Sequence, residues 1–224
     1  MTFLVRRERW LPFVPFVLLA LVHLGTLLAL SSFGSTITKP FLMPTLLFAV
    51  LWSLRLRPSP LLVFAALGIV FSFLGDVLLQ SPGDIGFLLG LGGFLLAHLA
   101  YLLLFTRPMR ERRIPWYAAG YALWWIVLVI YVAPFVGTLL VPVAAYGLVL
   151  GASSAFALGA GRLAALGALA FLVSDTLLAL KLFVPGYTFY PIDFIIMSLY
   201  VVAQGLIAYA VVSRDYRFRT QLGS

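Results

Sequence analysis

Two aspartates, Asp76 and Asp175, lie inside long apolar stretches of this 224-residue chain. An ionised carboxylate at the centre of a bilayer costs about 3 kcal/mol on insertion scales, so such a residue faces a partner group or a wet cavity. Two neighbouring carboxyl groups in an apolar pocket do not readily ionise together, so one can hold a proton while the other accepts one. Such a pair suits acid–base addition of water. A structural helix–helix hydrogen bond is the alternative for each aspartate.

Five further polar residues are candidates to surround this pair. His98 and Tyr101 are three residues apart and share one helical face, and Tyr200 and Gln204 share a face at a spacing of four. Asp193 stands at the start of the last apolar stretch. For His98 the alternative is a satisfied packing role, and for Asp193 it is a charge at the membrane interface.

Lys39 and His23 are the remaining candidates near the apolar stretches. Lys39 precedes Pro40 at the outer mouth of the second stretch, where its ammonium either snorkels to the lipid headgroups or binds a lipid phosphate. His23 has no recurring partner in the sequence, which favours a packing role. Two histidines cannot build a three-histidine zinc site and the chain has no cysteine, so we expect no metal and no other cofactor. An aspartate could serve as a further ligand, so a metal site stays an alternative.

The composition excludes an ordinary soluble domain. The chain is 63% hydrophobic and 10% charged, and its mean hydropathy is +1.12, whereas soluble domains are about 25% charged. We therefore predict an all-α polytopic membrane protein with residues 1–224 in a single transmembrane domain. The net charge of +8 comes from short basic clusters between apolar runs, which are typical of topology signals rather than of nucleic-acid binding.

The apolar runs predict eight transmembrane helices. The second is the shortest of them. The predicted spans are residues 11–30, 41–54, 61–80, 85–106, 115–132, 136–158, 163–183 and 192–213.

The arginines predict the orientation of these spans. All thirteen lie at the N-terminus, in every second loop or at the C-terminus, and therefore on one side. The positive-inside rule makes that side cytoplasmic, which places both termini in the cytoplasm and the protein in the cell (inner) membrane. Lys39 and Lys181 fall at the opposite face.

An internal repeat is predicted at an offset of 99 residues. This offset superposes Asp76 on Asp175 and Tyr101 on Tyr200. Because four helices separate equivalent positions, the halves, approximately residues 10–106 and 115–213, form a parallel four-plus-four repeat. The repeat places the two aspartates at similar depth, facing one another; chance identity in leucine-rich sequence is the alternative.

Several short motifs together resemble the YhhN-like lysoplasmalogenase family of multi-pass membrane proteins. They are Thr38-Lys39-Pro40, Gly75-Asp76-Val-Leu-Leu, His98-x2-Tyr101, Gly167-x3-Phe171-x2-Ser174-Asp175 and Tyr200-x3-Gln204. The resemblance implies an eight-helix hydrolase of the vinyl ether bond of lysoplasmalogens. It further implies that Asp76 and Asp175 are catalytic and that the substrate is bound by Lys39, His98, Tyr101, Asp193, Tyr200 and Gln204.

Three alternatives stay open at this point. The physiological substrate could be another lysolipid or an enol ether. A proton-coupled transporter or lipid flippase could use the same intramembrane acids. A structural subunit would leave the acid pair unexplained. We expect a lysophospholipid and membrane lipids as partners and no nucleic acid, and the sequence does not indicate an oligomeric state.

Overall fold

A computed structural model describes residues 10–222 of the chain. Within that range, α-helices joined by short connections account for nearly all of the backbone, and 3-10 turns at Leu11–Phe13, Trp116–Ala119 and Gly137–Leu139 introduce three of the helices. The helices are α1 (Val14–Leu28), α2 (Ser32–Leu54), α3 (Pro60–Leu78), α4 (Gly83–Thr106), α5 (Gly120–Val136), α6 (Leu140–Ala157), α7 (Arg162–Phe183) and α8 (Ile192–Leu222).

Seven segments of the described range are long and apolar enough to cross a bilayer, so the chain is a multi-pass membrane protein. The fifth segment, Trp116–Ala157, is 42 residues long and contains both α5 and α6. Within it the chain turns at Gly137, whose φ of +57° suits glycine, and the Trp125 indole of α5 donates to the Ala144 carbonyl of α6 at 2.8 Å. The predicted count of eight spans is not confirmed, and neither is the predicted parallel repeat.

The second helix is longer than predicted. It begins at Ser32 rather than at residue 41, because the Ser31 hydroxyl caps it by accepting a hydrogen bond from the Gly34 N–H at 3.2 Å. Pro40 lies inside α2, which spanning helices tolerate. Lys39 is therefore within the helix, and its predicted place at the helix mouth is wrong.

The last helix also extends past the predicted end. α8 runs to Leu222 rather than to residue 213, into a polar segment. Arg219 and Asp215 stabilise that segment through an ion pair of 2.6 Å at a spacing of four residues.

The loops that carry arginine meet at one end of the bundle. The Glu111 carboxylate accepts a hydrogen bond from Arg214 of α8 at 2.7 Å, and its backbone N–H donates to Gly159 beyond α6 at 2.9 Å. Arg219 donates to the Leu54 carbonyl at the end of α2 at 3.1 Å. The connections after α2, α4 and α6 and the C-terminal part of α8 thus share one end. The arginines before residue 10 lie outside the described residues.

Helices α3 and α4 approach one another closely through glycines. A Cβ added at Gly93 of α4 would lie 2.8 Å from the backbone nitrogen of Gly75 and 3.0 Å from its Cα. Real Cβ atoms do not come this close to backbone. Gly75 directly precedes Asp76, so this contact fixes the position of Asp76 relative to α4.

Gly93→Ala is therefore expected to destabilise the folded protein by about 2 kcal/mol, the usual cost of overpacking against atoms that cannot move. Gly92→Ala is the matched control, because nothing lies within 4 Å of a Cβ at that neighbouring position. Unfolding of both variants in the same detergent measures the difference. Equal stability of the two variants would contradict the close approach of α3 and α4.

Candidate active site

A cavity of about 380 Å³ lies among α1, α2, α3, α4, α7 and α8, toward the bundle end away from the arginine-bearing loops. Asp76 of α3 and Asp175 of α7 both line it. Three other predicted site residues, Lys39, Asp193 and Tyr200, line the same cavity. Apolar side chains form much of the remaining wall: Leu27, Leu79, Phe87, Phe94, Leu178, Leu182, Ile196 and Met197. The fold therefore brings five of the eight predicted site residues together.

Asp76 has charged and neutral hydrogen-bonding partners from two other helices. The Lys39 ammonium of α2 lies 3.3 Å from its Oδ1, and the Tyr200 hydroxyl of α8 donates to its Oδ2 at 2.6 Å. The Asp76 side chain is buried, with only 3% of the residue exposed. Both partners favour the ionised form of a carboxylate, and Lys39 supplies the charge that would balance it.

Lys39 accordingly has a different partner from those expected from the sequence. Its side chain is 22% exposed and is ion-paired with Asp76, rather than extended to the headgroup region. The cause is the early start of α2, which places Lys39 two helical turns inside the helix. Its ammonium is therefore part of the cavity wall.

Asp175 has a weaker set of partners than Asp76. The Tyr146 hydroxyl of α6 donates to its Oδ2. Among the residues that the structure describes, the ion pairs do not include one between Asp175 and a cation. The Tyr146 hydroxyl bonds to Oδ2, which leaves Oδ1 available to carry a proton. The two aspartates therefore share one cavity but differ in their charge partners.

Asp193 lies at the outer rim of the cavity, where it forms an ion pair with Lys181 of α7. It also lines a second, more open cavity of about 550 Å³ at the same end, which we call the vestibule. The two cavities share Leu27, Ser35 and Asp193 as lining residues. The vestibule adds hydroxyl groups from both sides of the opening, from Thr26, Ser31, Ser32, Thr188 and Tyr190. The aspartate cavity therefore adjoins a polar entrance.

The other three predicted site residues do not line the cavity. Tyr101 donates to Gln204 Oε1 at 2.6 Å, and Gln204 Nε2 donates to Ser72 Oγ at 2.9 Å, which ties α4, α8 and α3 together. His98 Nδ1 lies 3.0 Å from Ser153 Oγ of α6. All of these side chains are buried. The Tyr101–Gln204–Ser72 bonds join α4 to the helices that carry Asp76 and Tyr200, and the His98–Ser153 contact joins α4 to α6. For all three predicted residues a direct contact with substrate stays a prediction.

Tyr146 is a site residue that the sequence does not reveal. It directly precedes Gly147 of the small-residue motif Gly147-x3-Gly151 in α6. A hydroxyl in an apolar helix needs a hydrogen-bond partner, and this need is the sequence signal that could have pointed to Tyr146. Asp175 follows 29 residues later, and nothing in their spacing indicates that the two side chains meet. His23, expected to be a packing residue, also lines the cavity.

The described part of the chain, residues 10–222, has no group of three or more His, Asp or Glu side chains placed to hold a metal ion. The cation held by Asp76 is instead the Lys39 ammonium.

A model of the YhhN family matches residues 34–211. The matched range includes Lys39, Asp76, Asp175, Asp193 and Tyr200, and it runs from the first turn of α2 to the apolar part of α8. No curated protein and no solved structure matches the chain significantly.

Proposed function

The chain belongs to the YhhN family, which is the lysoplasmalogenase family, and we propose that it hydrolyses the vinyl ether bond of lysoplasmalogens. The products are a fatty aldehyde and glycerophosphoethanolamine or glycerophosphocholine. The observation that carries the proposal is the convergence of Asp76 and Asp175, from two different helices, on one largely apolar cavity. Their unequal partners supply the two protonation states that acid–base catalysis needs.

The first step is protonation of the substrate by Asp175. Its Oδ1 proton passes to the alkenyl carbon farther from the ether oxygen, and the electron pair of the double bond forms the new C–H bond. An oxocarbenium ion results, with Asp175 now a carboxylate. The Asp76 carboxylate, kept ionised by Lys39 and Tyr200, stabilises that cation. This division between two carboxyl groups is comparable to the one in glycosidases.

The second step is capture of the cation by water. The water oxygen bonds to the cationic carbon, and its proton passes to Asp175, which regenerates the acid and leaves a neutral hemiacetal. Asp175 then protonates the glycerol oxygen as that C–O bond breaks. The protonated aldehyde returns its proton to Asp175. One water is consumed, and both aspartates end in their starting states.

The two cavities accommodate the two chemical parts of such a lipid. The apolar wall of the aspartate cavity, including Phe87, Leu178 and Leu182, suits an alkenyl chain. The polar vestibule suits a headgroup, because hydroxyl groups and the Lys181–Asp193 ion pair surround it. A lysolipid bound in this way would hold its ether bond between headgroup and chain, beside the aspartates.

Purified protein incubated with lysoplasmalogen in detergent is expected to release aldehyde, with turnover unchanged by EDTA. The saturated 1-O-alkyl lysolipid is the matched control, since it has no alkenyl carbon to protonate. A transporter or flippase built on the same acids would release no aldehyde. Absence of aldehyde from both the choline and ethanolamine substrates would overturn the proposal. Turnover lost to EDTA and restored by zinc would replace the acid pair by a metal site.

We further propose that both termini are cytoplasmic. The arginine-bearing loops and the end of α8 share one end of the bundle, and the positive-inside rule places that end in the cytoplasm. Reporter fusions after residue 82 and at the C-terminus are expected to report opposite sides of the membrane. The same side for both fusions would contradict this topology.

A further inference from the structure

His23 of α1 is a buried group that the proposed chemistry does not use. The residue is 1% exposed and lines the aspartate cavity. Its neighbours in the cavity wall include Ser35, Thr36 and Lys39 of α2. The packing role expected from the sequence therefore does not explain why His23 lies in the cavity wall.

Hydrogen-bond accounting favours the tautomer of His23 that carries its proton on Nδ1. The Thr38 hydroxyl has a single hydrogen, which it donates to the Gly34 carbonyl at 2.7 Å. Thr38 Oγ1 also lies 2.8 Å from His23 Nδ1. With the hydroxyl hydrogen on the Gly34 carbonyl, the oxygen accepts at that contact and Nδ1 donates. In the neutral imidazole, Nε2 is then left with a lone pair. This Nε2 is buried and has no hydrogen-bond partner among the described residues.

The polar groups of the cavity wall do not supply the missing donor. Tyr200 gives its hydroxyl hydrogen to Asp76, and the Lys39 ammonium is directed to the same carboxylate. Asp175 accepts from Tyr146 and has no cation beside it within residues 10–222. A molecule that enters the cavity is the remaining source of a donor for His23 Nε2.

His98 provides a comparison within the same chain. Its Nδ1 lies 3.0 Å from Ser153 Oγ, and that hydroxyl donates to the Leu150 carbonyl at 2.9 Å, so its Nε2 is also a buried lone pair without a partner. His98 does not line the aspartate cavity, whereas His23 does. A molecule bound in the aspartate cavity can therefore lie beside His23, whereas the cavity does not extend to His98.

We propose that His23 is a fixed hydrogen-bond acceptor for an O–H group bound in the aspartate cavity. The inference rests on the proposed function, which supplies two such groups: the attacking water and the free glycerol hydroxyl of the lysolipid. A water held by Nε2 has its oxygen lone pairs free to attack the cation. A glycerol hydroxyl held there would select lysolipids over lipids acylated at that oxygen.

Two substitutions separate the acceptor from the bond to Thr38. In His23→Asn the amide nitrogen takes the place of Nδ1 and keeps the bond to Thr38, but no group replaces Nε2. In His23→Gln the longer side chain places an amide near the position of Nε2. His23→Asn is expected to lose about 5- to 100-fold in kcat/KM, the effect of leaving one buried hydrogen bond unmade, and His23→Gln is expected to retain most of the activity.

A substrate without the glycerol hydroxyl distinguishes the two sources of the O–H group. If His23 holds water, His23→Asn lowers kcat equally on lysoplasmalogen and on its 2-deoxy analogue. If it holds the glycerol hydroxyl, the wild-type protein discriminates against the deoxy analogue and His23→Asn does not. Both results support the acceptor role. A folded His23→Asn protein with wild-type kcat/KM on both substrates would overturn it, as would equal losses in the Asn and Gln variants that follow lowered thermal stability.

NMR of the ¹⁵N-histidine-labelled protein tests the inference apart from turnover, with the His23 signals assigned by comparison with His23→Asn. An unprotonated Nε2 is expected, and its signal should shift when 1-O-alkyl lysophosphatidylcholine is added. A protonated Nε2, or a signal unchanged by that lipid, would contradict the acceptor role. If the wild-type protein releases no aldehyde, the proposed function fails while this spectrum still reports on His23.

Discussion

Asp175→Asn is expected to abolish vinyl ether hydrolysis, with a loss of about 10² to 10⁴ in kcat. The amide has nearly the size of the carboxyl group and still offers an oxygen to the Tyr146 hydroxyl. It cannot donate a proton to carbon at neutral pH, so the substitution removes proton transfer and leaves packing nearly intact. Aldehyde release from purified, folded protein is the measurement.

Asp76→Asn is expected to cause a loss of the same order, because the neutral amide no longer stabilises the cation. The double variant should be little slower than either single variant, since the two groups act as a unit. Asp84→Asn is the matched control: it is the same chemical change at an exposed position in the first turn of α4, outside the cavity. Near-wild-type turnover in either cavity variant would remove the basis for the acid pair.

Lys39→Met is expected to lower the free energy of unfolding by about 3 kcal/mol. The substitution leaves the buried Asp76 carboxylate with the Tyr200 hydroxyl as its only recorded side-chain partner in the described part of the chain. Removing one member of a buried ion pair costs about 3–5 kcal/mol, because the other charge is left uncompensated. We expect the low end of that range, since Asp76 can take up a proton instead.

The double variant Lys39→Met/Asp76→Asn tests whether that loss comes from the ion pair. It should be more stable than Lys39→Met, because the unpaired charge is gone. Asp76→Asn alone should cost less than Lys39→Met, since the partly exposed Lys39 ammonium can be hydrated. Unfolding of the four proteins in one detergent gives the coupling energy. Additive effects of the two substitutions would show that the pair contributes little.

The positions of the two aspartates could be predicted from the sequence for a physical reason. A carboxyl group in an apolar helix must find a partner or a wet cavity, and Asp76 and Asp175 are found in one cavity. The same reasoning applies to the arginine-bearing loops, whose one-sided placement agrees with the contacts of Glu111. Charged residues that stand out against apolar sequence can therefore be placed in the fold from the sequence.

The position of Lys39 could not be predicted, because hydropathy does not locate a helix start. Residues 31–39 are mostly polar, and the helix nevertheless begins at Ser32 through a side-chain cap. Similarly, the partner of Asp175 comes from α6, and only the packing of α6 beside α7 brings the Tyr146 hydroxyl to it. Pairings between residues of different helices depend on tertiary packing that the spacing of residues does not encode.

The two histidines show the same limit. His98 is near the Asp76 helix in sequence, and this proximity favours it as a site residue, yet the fold holds it against Ser153 of α6. His23 lies 53 residues from Asp76 and lines the cavity with it. Helix order in the bundle decides the outcome, because α1 packs against α2 and α8 at the site.

The most direct test of the account is a structure of the protein with the 1-O-alkyl analogue of lysoplasmalogen bound. This analogue keeps the ether oxygen and lacks the double bond, so it is not hydrolysed. The first two chain carbons are expected to lie between Asp76 and Asp175, with the second carbon within reach of Asp175 Oδ1 and the headgroup in the vestibule. An analogue bound elsewhere, or bound with its ether bond away from both carboxyl groups, would contradict the assignment of this cavity as the active site.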